Sequence, residues 1–236
     1  MRIDAWIEPP MTSLLDVGCN VGAWLADCVR LYPGARLAGV DINESALRVA
    51  KGTLPSVELL CGSADALPFQ DVAFQCVTCI ETLEHLPSEM RARALQEIRR
   101  VLRPGGRLII SVPHEGWFAA LDSNNIRFRF PALYRRLVGS GLRDASYAAL
   151  KREIEWHHHF TERELVELAG PGWTVSAVRR TGLVLYPLAD LFSWPLYRLG
   201  RGDHPPRRFF ERVAGWEARF DFGKASYGLT MVFERI

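Results

Sequence analysis

Two glycines and a carboxylate crowd one short stretch near the start of the chain, Leu14-Leu15-Asp16-Val17-Gly18-Cys19-Asn20-Val21-Gly22. An apolar run leads into it, so it reads as the carboxyl end of a strand turning into a helix, where open α/β sheets bind ligands. Glycine there lets a ligand approach the backbone closely and allows backbone angles that other residues avoid. Asp41 closes the next apolar run, at the spacing where nucleotide folds place an acceptor for both ribose hydroxyls. A third carboxylate, Asp65, sits in Gly62-Ser63-Ala64-Asp65-Ala66-Leu67-Pro68-Phe69, where it can accept from an exocyclic adenine amine. Singly, each has a plainer explanation: an ordinary βα turn, a helix N-cap or solvated aspartate, and a polar loop.

Histidine is the side chain whose ordinary pKa lies nearest neutrality, so it is the first choice for moving a proton. The candidates are His85, His114 and the run His157-His158-His159. Within the run, His158 and His159 are taken with His85 as the catalytic candidates; the alternatives are pocket shaping for His85 and packing or solvation for the run. No metal is expected. Ligands must converge on one point, and consecutive side chains diverge on a helix or a strand. Cys76 and Cys79 form a C-x-x-C, but inside an apolar run that reads as a strand, where positions three apart face opposite ways. They read as small buried hydrophobes.

The elements that must position these residues are short apolar runs alternating with helical segments, the pattern of a parallel sheet covered on both faces. Strands are expected at Ser13–Val17, Arg36–Val40, Val57–Leu60, Phe74–Ile80 and Arg107–Val112. Helices follow the first strand to about Leu31, run from an Asn43 cap through Lys51, and occupy Ser88–Leu102 at helical spacing. Arg103-Pro104-Gly105-Gly106 ends the last of these sharply. Later, Thr161 caps a helix through Ala169 with Glu164 as a capping-box partner, and Trp173–Arg180 and Tyr227–Glu234 supply two more strands. The expected fold class is α/β: a doubly wound, mostly parallel seven-stranded sheet with its last strand antiparallel.

With 236 residues, one domain over 1–236 carrying insertions at about 115–160 and 183–226 is preferred to two domains. Hydrophobic residues at 48% and charged residues at 24% exclude a mostly disordered chain. A net charge of +2 is too small to argue for nucleic acid. Five cysteines, an odd number, and no signal-like start favour a reducing cytoplasm over a disulfide framework. The most lipid-like stretch, 183–199, is broken by Pro187, Asp190 and Pro195 and falls short of the roughly 20 apolar residues a spanning helix needs.

With the glycine loop and the two acidic loops in this order, the chain resembles the class I S-adenosylmethionine (SAM)-dependent methyltransferase superfamily, close to its ubiquinone-biosynthesis-like group. The stretches that carry the resemblance are LLDVGCNVGAW, AGVDINESAL, CGSADALPF, CVTCIETLEHL and ALQEIRRVLRPGGRLIISVP, covering about Thr12 to His114. HHFTERELVELA resembles a later helix of the same group. The resemblance implies a Rossmann-like methyltransferase fold and SAM as cofactor. It implies that Asp16, Gly18, Cys19, Asn20 and Gly22 surround the methionine portion, that Asp41 holds the ribose with Ile42 against the adenine, and that Asp65 and Ala66 meet the adenine edge. Glu81 and Thr82 would line the methionine side, with His85 near the mouth. Asn20 stands where the group usually has glycine; asparagine tolerates positive φ better than most residues, so the loop is expected to keep its shape.

The implied activity is methyl transfer from SAM to an oxygen, nitrogen or carbon of a small-molecule acceptor, chosen by the two insertions near the acceptor side. Trp117, Phe118, Phe128, Phe130, Tyr134, Tyr147 and Trp156 are read as an apolar lid or as packing for the first insertion. Arg198, Arg201, Arg207, Arg208 and Arg212 are read as a weak lipid-contact patch or a solvated face. Two other functions remain open: an NAD-dependent oxidoreductase or epimerase, against which the first loop lacks the third glycine of G-x-G-x-x-G, and a SAM-binding module without turnover.

Overall fold

Five successive buried residues, Ser13–Val17, form β1, and its neighbours on both sides are equally apolar, which places it in the middle of a sheet covered on two faces. The structure, a computed structural model, describes residues 3–8, 10–122, 125, 130, 132, 157–185, 188 and 212–236. Around β1 are β2 (Arg36–Asp41), β3 (Glu58–Cys61), β4 (Phe74–Ile80), β5 (Leu102–Pro113), β6 (Trp173–Thr181) and β7 (Gly228–Arg235). The seven strands lie in the order β3-β2-β1-β4-β5-β7-β6. β1 to β5 pair in parallel, and β7 runs antiparallel between β5 and β6, as the sequence leads one to expect. The order reverses between β1 and β4, which is where such sheets open a crevice at their carboxyl edge.

The helices α1 (Ala23–Leu31), α2 (Glu44–Thr53) and α3 (Ser88–Val101) each follow a strand within a few residues, and α4 (Glu162–Ala169) follows the first insertion. Asn43 caps α2 by accepting from the N–H groups of Ser45 and Ala46. Thr161 caps α4 by accepting from Glu164 N–H at 3.1 Å, but the Glu164 carboxylate turns to His158, so only half of the expected capping box forms. Two apolar clusters cover the two faces of the sheet, and Cys76 and Cys79 fall into different ones, as three-residue spacing on a strand requires.

The expected stop at Arg103-Pro104-Gly105-Gly106 is partly corrected. The helix does end at Val101, but the strand begins at once: Leu102 pairs with Phe74, and the register then jumps to Arg107 opposite Cys76. The proline and glycines form an irregularity inside β5 instead of a separate connection. Arg235 donates to the carbonyls of Arg99 and Leu102 there, satisfying acceptors that the end of α3 leaves open.

The first insertion is anchored at its exit by Phe160, whose N–H donates to Pro113 and whose carbonyl accepts from Glu115. In the second, Glu217 is buried on a helical turn spanning 212–217 and accepts from the N–H groups of Leu183, Val184 and Leu185. Phe128, Tyr134, Tyr147 and Trp156 of the aromatic set, and Arg198, Arg201, Arg207 and Arg208 of the basic one, lie outside the described residues. Among the described residues no helix is long and apolar enough to cross a membrane.

Candidate functional site

The loop after β1 is built by positive backbone angles at Gly18 (φ 78), Asn20 (φ 48) and Gly22 (φ 79). Asn20 thus takes the left-handed conformation anticipated for it. The turn folds back on β2: the N–H groups of Gly18 and Cys19 both donate to the Val40 carbonyl, and Gly22 N–H donates to Cys19. A Cβ on Gly18 would collide with the Thr82 side chain, so this glycine is what lets the β1 loop meet the loop after β4.

Asp41 ends β2 with both carboxylate oxygens oriented by backbone. Oδ2 accepts from Asn20 N–H at 2.8 Å and Oδ1 from Asn43 N–H at 2.8 Å. The cap of α2 is Asn43, so the N-cap alternative for Asp41 is excluded. A carboxylate oxygen accepts more than one hydrogen bond, and the two remain able to take ribose hydroxyls from the half-buried side. Next to it Ile42 presents an apolar side chain that is 41% exposed, ready to cover a flat ring.

Asp16 is nearly enclosed beneath this loop and accepts from Thr78 Oγ1 at 2.7 Å. Burial pushes its carboxyl up to about 7; the Thr78 bond opposes this and the nearby Asp41 charge adds to it. Cys19 is buried, and desolvation first, then Asp16 and Asp41, raise its thiol to about 12, so it stays a neutral loop residue. Asp65 accepts from Ser63 Oγ at 2.5 Å and stands 3.5 Å from Arg93, with Ala66 bridged to Ser63. Arg100 holds that loop to α3: it donates to the carbonyls of Leu67 and Phe69 and to Glu97 and Asp71, while Glu97 accepts from Leu67 N–H.

After β4 the chain takes another left-handed residue, Glu81 (φ 48), whose N–H donates to Ser111 and whose Oε1 accepts from Ser111 Oγ at 2.8 Å. Its end reaches solvent through the cleft, yet the surrounding protein desolvates it and raises its carboxyl above the usual range. A non-glycine residue in this conformation at a strand end is the kind of strain that functional sites hold. Thr82 donates to the Ile80 carbonyl, and a short 3-10 turn, Leu83–His85, then presents His85 with 39% of its side chain exposed.

Beside Glu81 lies a polar cluster that sequence reasoning foresaw only in part. The triple histidine runs in extended fashion, so its outer members share a side: His157 Nδ1 is 2.5 Å and His159 Nε2 is 3.4 Å from the same Asp122 oxygen. The middle member, His158, points instead to Glu164, with Nε2 at 2.6 Å, and packs on Phe160. Asn125 holds the main chain of His157 from both sides. The His85 and His157 rings lie 4.7 Å apart, with Glu84 between them, 3.8 Å from one Nε2 and 3.9 Å from the other. Desolvation lowers His159 to about 4 against the opposing pull of Asp122, which keeps that ring neutral at pH 7. His114 is spent on packing: buried, with Nδ1 on the Ser226 carbonyl at 2.9 Å.

The structure therefore gathers Asp16, Gly18, Cys19, Asn20, Gly22, Asp41, Glu81 and Thr82 at the ends of β1, β2 and β4, with Ile42, Asp65 and Ala66 following on from β2 and β3. It sets His85 by this group and turns His158 to α4. Of this cluster the sequence offers His157 only as a member of the histidine run, and Asp122, Asn125 and Glu84 are the residues sequence reasoning missed. The 32 and 35 residues separating His157 from Asn125 and Asp122 carry no periodic signal.

Residues 15–110 match a family model described as a methyltransferase domain. The chain is 37% identical over 103 residues to a demethylmenaquinone methyltransferase of Lactococcus lactis, covering 41% of this chain and 40% of that protein. It is 32% identical over 152 residues to the demethylmenaquinone methyltransferase of Staphylococcus aureus, covering 61% and 58%. The chain thus spans about half the length of the curated relatives it matches. Among solved structures, a SAM-dependent methyltransferase of Methanosarcina mazei superposes with a TM-score of 0.62 at 22% identity, over 99% of this chain and 96% of that one, which shows the common fold. Over residues 15–110 the chain is therefore similar to the methyltransferase-domain family, and the solved methyltransferase shares its fold.

Proposed function

We propose that this chain transfers the methyl group of S-adenosylmethionine to an oxygen, nitrogen or carbon of a small-molecule acceptor. The observation that carries the proposal is the joining of three strand ends into one cleft: Gly18 donates to Val40, Asn20 to Asp41, and Gly18 abuts Thr82 with no room for a side chain. The residues fit the cofactor. Asp41 offers oriented acceptors for the ribose and Ile42 an apolar cover for the adenine, with Asp65 and Ala66 at its edge. Asp16, Gly18, Cys19, Asn20, Gly22, Glu81 and Thr82 would surround the amino-acid portion, whose ammonium suits nearby carboxylates.

When bound, the cofactor supplies a sulfonium methyl, an electrophile already activated for transfer. The protein's part is then to align and to exclude water, which explains why so few groups are poised for proton chemistry. His85, half-exposed beside Glu81, is the imidazole an acceptor would meet first. His159 would act as a neutral pocket wall, and His158 as a strut to α4. We take the whole chain as one domain whose insertions, about 115–160 and 183–226, choose the acceptor. The near-neutral charge argues against nucleic acid, the Arg198–Arg212 stretch would give at most weak lipid contact, and a cytoplasmic setting fits the free thiols.

Calorimetry with SAM and with NAD, followed by incubation with methyl-labelled SAM and a fractionated metabolite extract, tests this. Saturable SAM binding with label appearing in a small molecule is expected. Binding of NAD but not SAM would transfer the chain to the oxidoreductases, and SAM binding with no label in any fraction would leave a binding module.

A further inference from the structure

We infer that Glu84, His85 and His157 form a binding site for one divalent transition-metal ion at the acceptor side of the cleft. One oxygen of Glu84 and one nitrogen from each histidine lie within 4.8 Å of one another, with the two Nε2 atoms 3.8 and 3.9 Å from Glu84 Oε1. Ligand pairs on a tetrahedral ion with bonds of about 2.1 Å stand roughly 3.4 Å apart, so modest inward movement completes the set.

An independent observation points to a ligand here. Glu84 is 2% exposed, and neither of its carboxylate oxygens has a hydrogen-bond partner among the described residues. Burial without a donor disfavours the ionised carboxylate, and a bound cation is a partner that would offset this. The charge of Arg91 acts on Glu84, and its Nε donates to the Leu86 carbonyl.

The surroundings are arranged as they are around metal-bound histidine. Asp122 lies 2.5 Å from His157 Nδ1 and so assigns the proton to that nitrogen, leaving Nε2 with its lone pair towards Glu84. Asn125 fixes the main chain of the same residue. Two imidazoles and one carboxylate select zinc and its first-row neighbours over magnesium, which prefers an all-oxygen shell. With three protein ligands the ion keeps a position open, and half-exposed His85 marks the way in. His85 would then meet an acceptor through the ion and not as a free base.

The test needs neither cofactor nor acceptor, so it is separate from the outcome of the transfer assay. Chelator-treated protein is titrated with Zn²⁺ by calorimetry and with Co²⁺ by visible absorption. One ion per chain is expected, with intense visible cobalt bands of a low-coordinate nitrogen and oxygen site, and no displacement by millimolar Mg²⁺. H85A, at a position open enough to preserve folding by circular dichroism, should weaken binding at least about tenfold, and D122N by about 10–100-fold. H158A and C61S, which alter a histidine turned to α4 and an exposed thiol, should bind as the parent does. Absence of saturable binding, retention of full affinity in both H85A and H157A, or loss of binding in C61S would overturn the site.

Discussion

The main-chain N–H of Asn20 donates a 2.8 Å hydrogen bond to Oδ2 of Asp41, 21 residues further along the chain. The bond ties the turn after β1 to the end of β2, so the carboxylate proposed for the ribose is aimed by the loop proposed for the methionine portion. Asp41→Ala removes an oriented acceptor and frees two backbone donors at once. SAM affinity should fall by more than about tenfold, from hydrogen bonds to a charged group worth roughly 1.5–3 kcal/mol. Calorimetry reads this directly, and an unchanged Kd would remove Asp41 from the site.

Gly18 permits a test that separates shape from chemistry. Gly18→Ala places a methyl against Thr82 and forces alanine to φ 78, so stability should drop by about 2–4 kcal/mol and SAM binding should be lost. Adding Thr82→Ala relieves part of the clash and none of the backbone cost. Denaturant melts should show the double variant recovering partly; full recovery would mean that the backbone angle is not strained.

Asp16 predicts a proton signature. Its carboxyl is raised from 3.8 to about 7 by burial, so the folded chain holds this proton more tightly than the unfolded chain. That contribution to stability is full below about pH 4 and is lost as the pH climbs through 7, on the order of 4 kcal/mol in all. A cationic cofactor favours the ionised carboxylate, so SAM binding near pH 7 should release a fraction of a proton. Calorimetry in buffers of different ionisation enthalpy measures it. Asp16→Asn should reduce the release and flatten the stability slope; equal release in the variant refutes the assignment.

Arg100 binds two carbonyls and two carboxylates with one planar fork. Lysine keeps the charge but not the fork, so Arg100→Lys should cost about 1–3 kcal/mol and loosen the loop 62–69. A lower Tm with faster amide exchange at Leu67 is the expected result, and wild-type exchange there would contradict it.

The cofactor half of the molecule was legible because its signals are local. Glycines that end a strand, an acidic residue at the end of the next, and apolar runs of fixed length each depend on a few neighbours along the chain. Asn20 could be anticipated as left-handed from its own side chain. The polar cluster was not legible in this way. Consecutive side chains in the histidine run diverge, yet residues two apart in an extended run share a face, and that is how His157 and His159 reach Asp122. Glu84 reads as a helical or solvated residue in Glu81-Thr82-Leu83-Glu84-His85, and only tertiary packing buries it. Proline and two glycines read as an end, so the sequence starts the fifth strand at Arg107, whereas pairing of Leu102 with Phe74 carries β5 through the five residues before it.

Phe160 pins both ends of the segment after β5, donating to Pro113 and accepting from Glu115, so the backbone leaves the sheet and re-enters it at almost the same point. A loop closed at its base tolerates changes of length: doubling it costs only about 0.6 kcal/mol. Sequence between the buried anchors Asn125 and His157 can therefore be lengthened or exchanged while the sheet stays in register. A chimera grafted between Asn125 and His157, with both kept, should fold as readily as its parent and, on the proposed role of the insertion, carry the donor's taste in acceptors.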